Sequence, residues 1–131
     1  MTTATVEVPH RDIPRFEYWL ASQCQDSGVE LSEIQNHGGD LVEEVRNAAT
    51  KFAAVRQLME QVEKAKAGEV TTVSGDPQVL LWQCQAITLD YASPITDLDT
   101  PGNWDFKAAA ETVDSLAHWI EQGKNVQAAM H

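Results

Sequence analysis

Basic residues are scarce in this 131-residue chain: 9 Lys and Arg stand against 20 Asp and Glu, for a formal charge of −11. Nucleic acid and anionic lipid are bound by displacing counterions with Lys and Arg, so this deficit argues against direct binding to either. It leaves room for a protein partner with a basic surface, and it also serves solubility. Long apolar runs are missing too. No stretch approaches the roughly 20 residues that cross a bilayer, so no membrane span is expected. The opening residues, MTTATVEVPHRD, lack a basic segment followed by an apolar one, so no secretory signal is expected. Cysteine is limited to Cys24 and Cys84. Both fall in apolar-periodic segments without metal-ligand spacing, and two cysteines make no disulfide framework. Free, half-buried thiols in a reducing cytoplasm are the expectation.

Signatures of catalysis are likewise missing. The histidines are His10, His37, His118 and His131, and none forms a His-x-x-x-His or Glu-x-x-His pair. Asp114 and His118 stand four apart on one predicted helix and read as a surface hydrogen bond. His37-Gly38-Gly39-Asp40 leads into a helix start, but the spacing and lysine of a phosphate loop are absent. Cys84 lies within the apolar run Leu80-Leu81-Trp82-Gln83-Cys84, where burial makes a thiol inert. Asp97 and Asp99 run into Pro101-Gly102 without the third acid or closing Glu of a calcium loop. The chain is expected to use no metal and no cofactor, and to be no enzyme.

Helical periodicity is what the chain does have. Hydrophobic content of 43% supports a core, and the length suits one domain. The clearest helix is the second, predicted over 40–67. Its apolar residues Leu41, Val45, Ala48, Phe52, Val55, Met59 and Val62 recur at spacings of 4, 3, 4, 3, 4 and 3, a heptad seam. Asp40 with Glu43 makes a capping box, and Gly68 marks the end. The third helix opens at Asp76-Pro77, an N-cap followed by proline, and Ser93-Pro94 ends it. It carries two apolar stripes, one of Leu80, Cys84, Ile87 and Tyr91 and one of Val79, Trp82, Ala86 and Leu89, which suits packing on two sides. The fourth is predicted to bury Phe106, Ala109, Val113, Leu116 and Ile120 and to stop at Gly123. The first is shorter, about 12–24, with one further turn over 32–36. Thr5–Val8 and Val70–Val73 alternate and are candidate strands that pair with each other. No internal repeat is visible. The result is an all-α fold, one domain over 1–131, a four-helix bundle-like arrangement with a long heptad-patterned second helix and short extended additions.

Function follows by subtraction plus one positive feature. A seam of about 22 residues is longer than a domain of this size requires, so part of it is expected to face another chain. Phe52, its largest member, and Met59 are the candidates for that contact. Charge is uneven: the segment 69–105 holds six acids and no base. Its long connection over 93–103 lies within a candidate partner-contacting surface, 90–105, in which Trp104 beside Asp97, Asp99 and Asp105 pairs an aromatic anchor with steering charge. Trp119 falls beside Ile120, off the predicted stripe, and is expected to be an exposed anchor. These features describe a non-enzymatic interaction or assembly module, a homo-oligomer built by helix packing, working in the cytoplasm. The alternative is an acidic inhibitor or nucleic-acid mimic, of the kind phages and mobile elements carry, that binds a basic protein surface.

Gly75-Asp76-Pro77-Gln78-Val79-Leu80-Leu81-Trp82-Gln83, followed by Asp90-Tyr91 and Thr112-Val113-Asp114-Ser115-Leu116, resembles the helical hairpin of rod and needle subunits of bacterial secretion systems. The resemblance covers about a third of the chain and implies a helical subunit of a larger assembly. The proline-bearing stretch 93–103 departs from that pattern.

Overall fold

Alternation makes the two strands. Ala4, Val6 and Val8 point inward while Thr5 and Glu7 point out, the period of two that buries one strand face. Val73 and Gly75 do the same on the other strand. In the computed structural model, which describes residues 3–37, 41–64, 71–96 and 106–130, β1 (Ala4–Val8) pairs antiparallel with β2 (Thr71–Gly75), with Val6 opposite Val73. The two alternating stretches therefore do pair. They are more than an addition to a helical core, however. Val6, Val8 and Val73 are fully buried and share one apolar cluster with Phe16, Leu20, Leu58, Leu80, Ile87, Trp119 and Val126.

Four helices complete the described residues: α1 (Ile13–His37), α2 (Leu41–Glu63), α3 (Pro77–Thr96) and α4 (Phe106–Ala129). The chain is thus mostly helical, with one two-stranded sheet among the described residues. The order strand, helix, helix occurs twice. Within each half the two helices pack on each other, α1 on α2 and α3 on α4. Each second helix then packs on the strand of the opposite half, α2 on β2 and α4 on β1. Val6 faces Val73 at the middle of the ribbon that joins the two halves. This duplication was invisible in the sequence because what repeats is the contact pattern, while the residues differ.

The helix limits differ from the periodicity reading in instructive ways. Asp76 caps α3 as expected, its Oδ1 accepting the N–H groups of Gln78 at 2.8 Å and Val79 at 3.4 Å, with Pro77 at the first position. α1 is one continuous helix through Gly28 and 32–36, and α3 runs past Ser93-Pro94 to Thr96. α4 passes Gly123, which lies at the contact with α3, where a Cβ would meet Cys84 Cβ at 3.6 Å. On α2 the buried row is Ala48, Val55, Leu58 and Val62, while Phe52 and Met59 are half-buried on its flank. The heptad seam passes over Leu58, which packs against Gly75; a Cβ there would stand 3.1 Å from Leu58 Cδ2.

The largest correction concerns α4. Its buried face is Ser115, Trp119, Gln122 and Val126, while Val113 and Ile120 are exposed. Ser115 and Gln122 look like surface residues by type, so a polarity count turns the helix the wrong way. Inside the fold Gln122 has a defined task. Its Oε1 accepts the backbone N–H of Glu7 at 3.0 Å, and His118 Nε2 meets the Glu7 carbonyl at 2.8 Å. Gln61 of α2 serves β2 in the same way, accepting from Ser74 N–H at 2.8 Å and donating to Ser74 O at 2.7 Å. Each outer strand edge is thus capped by an amide side chain from the helix of the other half. A row of open backbone groups, the usual liability of an edge strand, is closed at these positions.

Replacing Gln122 with Ala leaves the Glu7 N–H without its acceptor. Gln122→Ala is expected to lower unfolding stability by about 1–3 kcal/mol in urea titration, and to speed hydrogen exchange at the Glu7 amide. Unchanged exchange at Glu7 contradicts the capping role.

Candidate interaction site on the α1–α3 face

A carboxylate is buried at the start of α1. Pro9 leads into a single 3-10 turn, His10–Asp12, closed by Asp12 N–H donating to Pro9 O at 2.9 Å. The turn drives Asp12 fully inside. Both of its oxygens are occupied: the Tyr91 hydroxyl donates to Oδ1, and Trp119 Nε1 donates to Oδ2 at 2.9 Å. Arg15 sits 3.5 Å from Oδ1, donates to the Tyr91 hydroxyl at 3.0 Å, and lies over the Tyr91 ring with Cζ 4.2 Å from its centroid. One carboxylate therefore joins α1, α3 and α4. Burial first, and then the hydrogen bond to Asp12, push the Tyr91 hydroxyl above its ordinary range.

Trp119 is the correction that follows. It is fully buried, stacked on Phe16 with ring centroids 6.3 Å apart, and is no exposed anchor. A buried indole needs an acceptor for its N–H, and Asp12, more than 100 residues away in sequence, supplies it. His118 bonds Glu7 O rather than Asp114.

A second polar pair locks α1 to α3. Gln23 Nε2 donates to Gln83 Oε1 at 2.9 Å and to Val79 O at 3.3 Å, while Gln83 Nε2 donates to Phe16 O at 2.8 Å. Both glutamines are buried. Beside this lock lies a groove of about 610 Å³. Its walls are Trp19 from α1 and Trp82, Ala86, Leu89 and Asp90 from α3, with Gln85 and Ala92 at its margin. The indoles meet edge to face with centroids 5.6 Å apart, and Tyr18 stands against Trp19 at 5.0 Å. Trp19 Nε1 donates to Asp90 Oδ2 at 2.6 Å. Leu89 at 69% and Tyr18 at 64% exposure are large apolar groups left in solvent at its border. Such a surface suits binding of an extended or side-chain ligand.

Of the sequence candidates, Phe52 and Met59 are half-buried on α2, Met59 packed against the protein's own core. Asp97, Asp99, Trp104 and Asp105 lie outside the described residues, as does Asp40. The structure brings none of the described candidates together. Sequence patterns do not single out Asp12, Trp19 or Trp82 as site residues, and they place Asp90 and Tyr91 only at the edge of the 90–105 surface. One signal was available: Asp90 is the lone charged residue in the 20-residue helix α3. Among the described residues no three metal-ligating side chains converge, and no helix is long and apolar enough to cross a membrane. No family model matches the chain, nor does any curated protein or solved structure. The likeness to secretion-system subunits therefore rests on the residues quoted for it alone.

Cys24 and Cys84 are unpaired thiols, Cys24 half-buried and Cys84 buried. Burial pushes the Cys84 thiol from 9.0 to about 12. Since folding holds Cys84 and Tyr91 in their neutral forms, their contribution is complete below their unfolded values and is lost as pH rises towards the folded ones. The melting temperature should be flat near neutrality and fall progressively from about pH 9 to 12. Iodoacetamide at pH 8 should alkylate Cys24 first and Cys84 only on unfolding, read by peptide mass spectrometry. Equal labelling rates for the folded protein contradict this assignment.

Proposed function

We propose that the protein is a non-enzymatic assembly module that associates with copies of itself through α4. The observation that carries this reading is the outward face of that helix. Ala110, Val113, Ala117 and Ile120 follow at spacings of 3, 4 and 3 and are all exposed, Val113 at 50% and Ile120 at 42%. This is a heptad-like apolar stripe with no partner among the described residues, lying opposite the buried row of Ser115, Trp119 and Gln122. A two-fold, antiparallel pairing that sets Ala110 against Ile120 and Val113 against Ala117 covers the stripe of both copies. One helix pair covers an area at the small end of specific interfaces, so the association is concentration-dependent. In this reading the helices form two hairpins in a four-helix bundle-like scaffold, the assembly works in the cytoplasm, and both thiols stay reduced.

Light scattering across a concentration series tests it. The parent protein should pass from monomer to dimer as concentration rises. Ile120→Glu should remain monomeric with an unchanged helical circular dichroism spectrum, because Ile120 is a surface residue. A parent protein that stays monomeric at the highest concentration overturns the reading.

A further inference from the structure

We propose that the groove between α1 and α3 is a binding site for an arginine side chain presented by a partner peptide. The walls and the charge both point to a cation. Trp19 and Trp82 offer two indole rings set edge to face, 67° apart, and π-faces attract cations, tryptophan most strongly. The one charged group lining the groove is Asp90. Trp19 Nε1 engages its Oδ2 and thereby fixes its orientation, while Oδ1 has no partner among the described residues. The composition of the two helices is acidic. α3 carries no Lys or Arg at all, and α1 carries four carboxylates against Arg15. Arg15 itself is engaged with Asp12 and Tyr91.

Arginine fits better than lysine. Its planar guanidinium stacks on an indole while donating to a carboxylate, and it gives up water more readily than an ammonium. The groove, about 610 Å³, exceeds one side chain and falls within the range of ligand sites. Ala86 and exposed Leu89 leave apolar wall for aliphatic residues next to the arginine. This site lies away from the α4 stripe, so it stands whether or not the chain self-associates.

The probe is the peptide acetyl-Leu-Arg-Leu-amide, titrated into 15N-labelled protein and followed by NMR. The indole signals of Trp19 and Trp82 and the amides of Ala86 and Leu89 should shift together and saturate. The lysine peptide should bind more weakly and acetyl-Leu-Glu-Leu-amide not at all. Asp90→Asn keeps an acceptor for Trp19 and should weaken the arginine peptide at least about five-fold, a deficit that shrinks with added salt. Trp82→Leu leaves the Trp19–Asp90 bond in place and should weaken it comparably. Absence of a saturable shift, equal binding of the Glu peptide, or undiminished binding by both variants overturns the proposal.

Discussion

The Asp12 carboxylate is the constraint around which the helices are arranged. A buried carboxylate is costly unless every lone pair is met, and removing one partner of a buried ionic group costs more than the group contributes. Here the partners come from three separate helices: the Arg15 guanidinium on α1 as an ion pair, and the hydrogen-bond donors Tyr91 on α3 and Trp119 on α4. None is a sequence neighbour of another. The carboxylate therefore specifies which helix faces meet, as apolar contact alone does not. It explains why α4 turns Trp119 inward although Val113 and Ile120 look like the better core residues.

The strands depend on the same arrangement. A two-stranded ribbon is marginal alone, and this one has both outer edges met by glutamines, Gln61 on β2 and Gln122 on β1. Gln122 and Trp119 lie on one face of α4, so the turn of the helix that satisfies Asp12 also delivers the amide to Glu7. Gln23 and Gln83 extend the pattern between α1 and α3. Amide side chains thus recur at the contacts between the two halves. The aromatic groove lies beside these locks: with α1 and α3 joined at the glutamine pair and at Asp12, Trp19 and Trp82 line its walls, and Asp90 orients Trp19.

Local signals were legible in the sequence where local physics decides. The Asp76-Pro77 cap, the alternation of Ala4, Val6 and Val8, and the inward stripe of Leu80, Cys84, Ile87 and Tyr91 on α3 follow from backbone and periodicity rules, whereas the second stripe of α3 breaks at Leu89, which is exposed beside the groove. The face of α4 was illegible because its inward polar residues, Ser115 and Gln122, are satisfied by groups far away in sequence. The α2 seam was half legible: Ala48, Val55 and Val62 are inward, but Leu58 replaces Phe52 and Met59 as the deepest contact because Gly75 opens space for it. Of the groove only the lone Asp90 among apolar residues was visible; its pairing with Trp19 spans 71 positions.

Unfolding of a paired set of variants tests the Asp12 arrangement most directly. In the parent, Tyr91→Phe removes one donor to the carboxylate and should cost about 1–3 kcal/mol in urea denaturation. In an Asp12→Asn background the carboxylate is already gone, and the same change should cost less than half as much, the signature of coupled residues. Equal costs in the two backgrounds would show that Asp12 and Tyr91 act independently and that the carboxylate does not organise the fold.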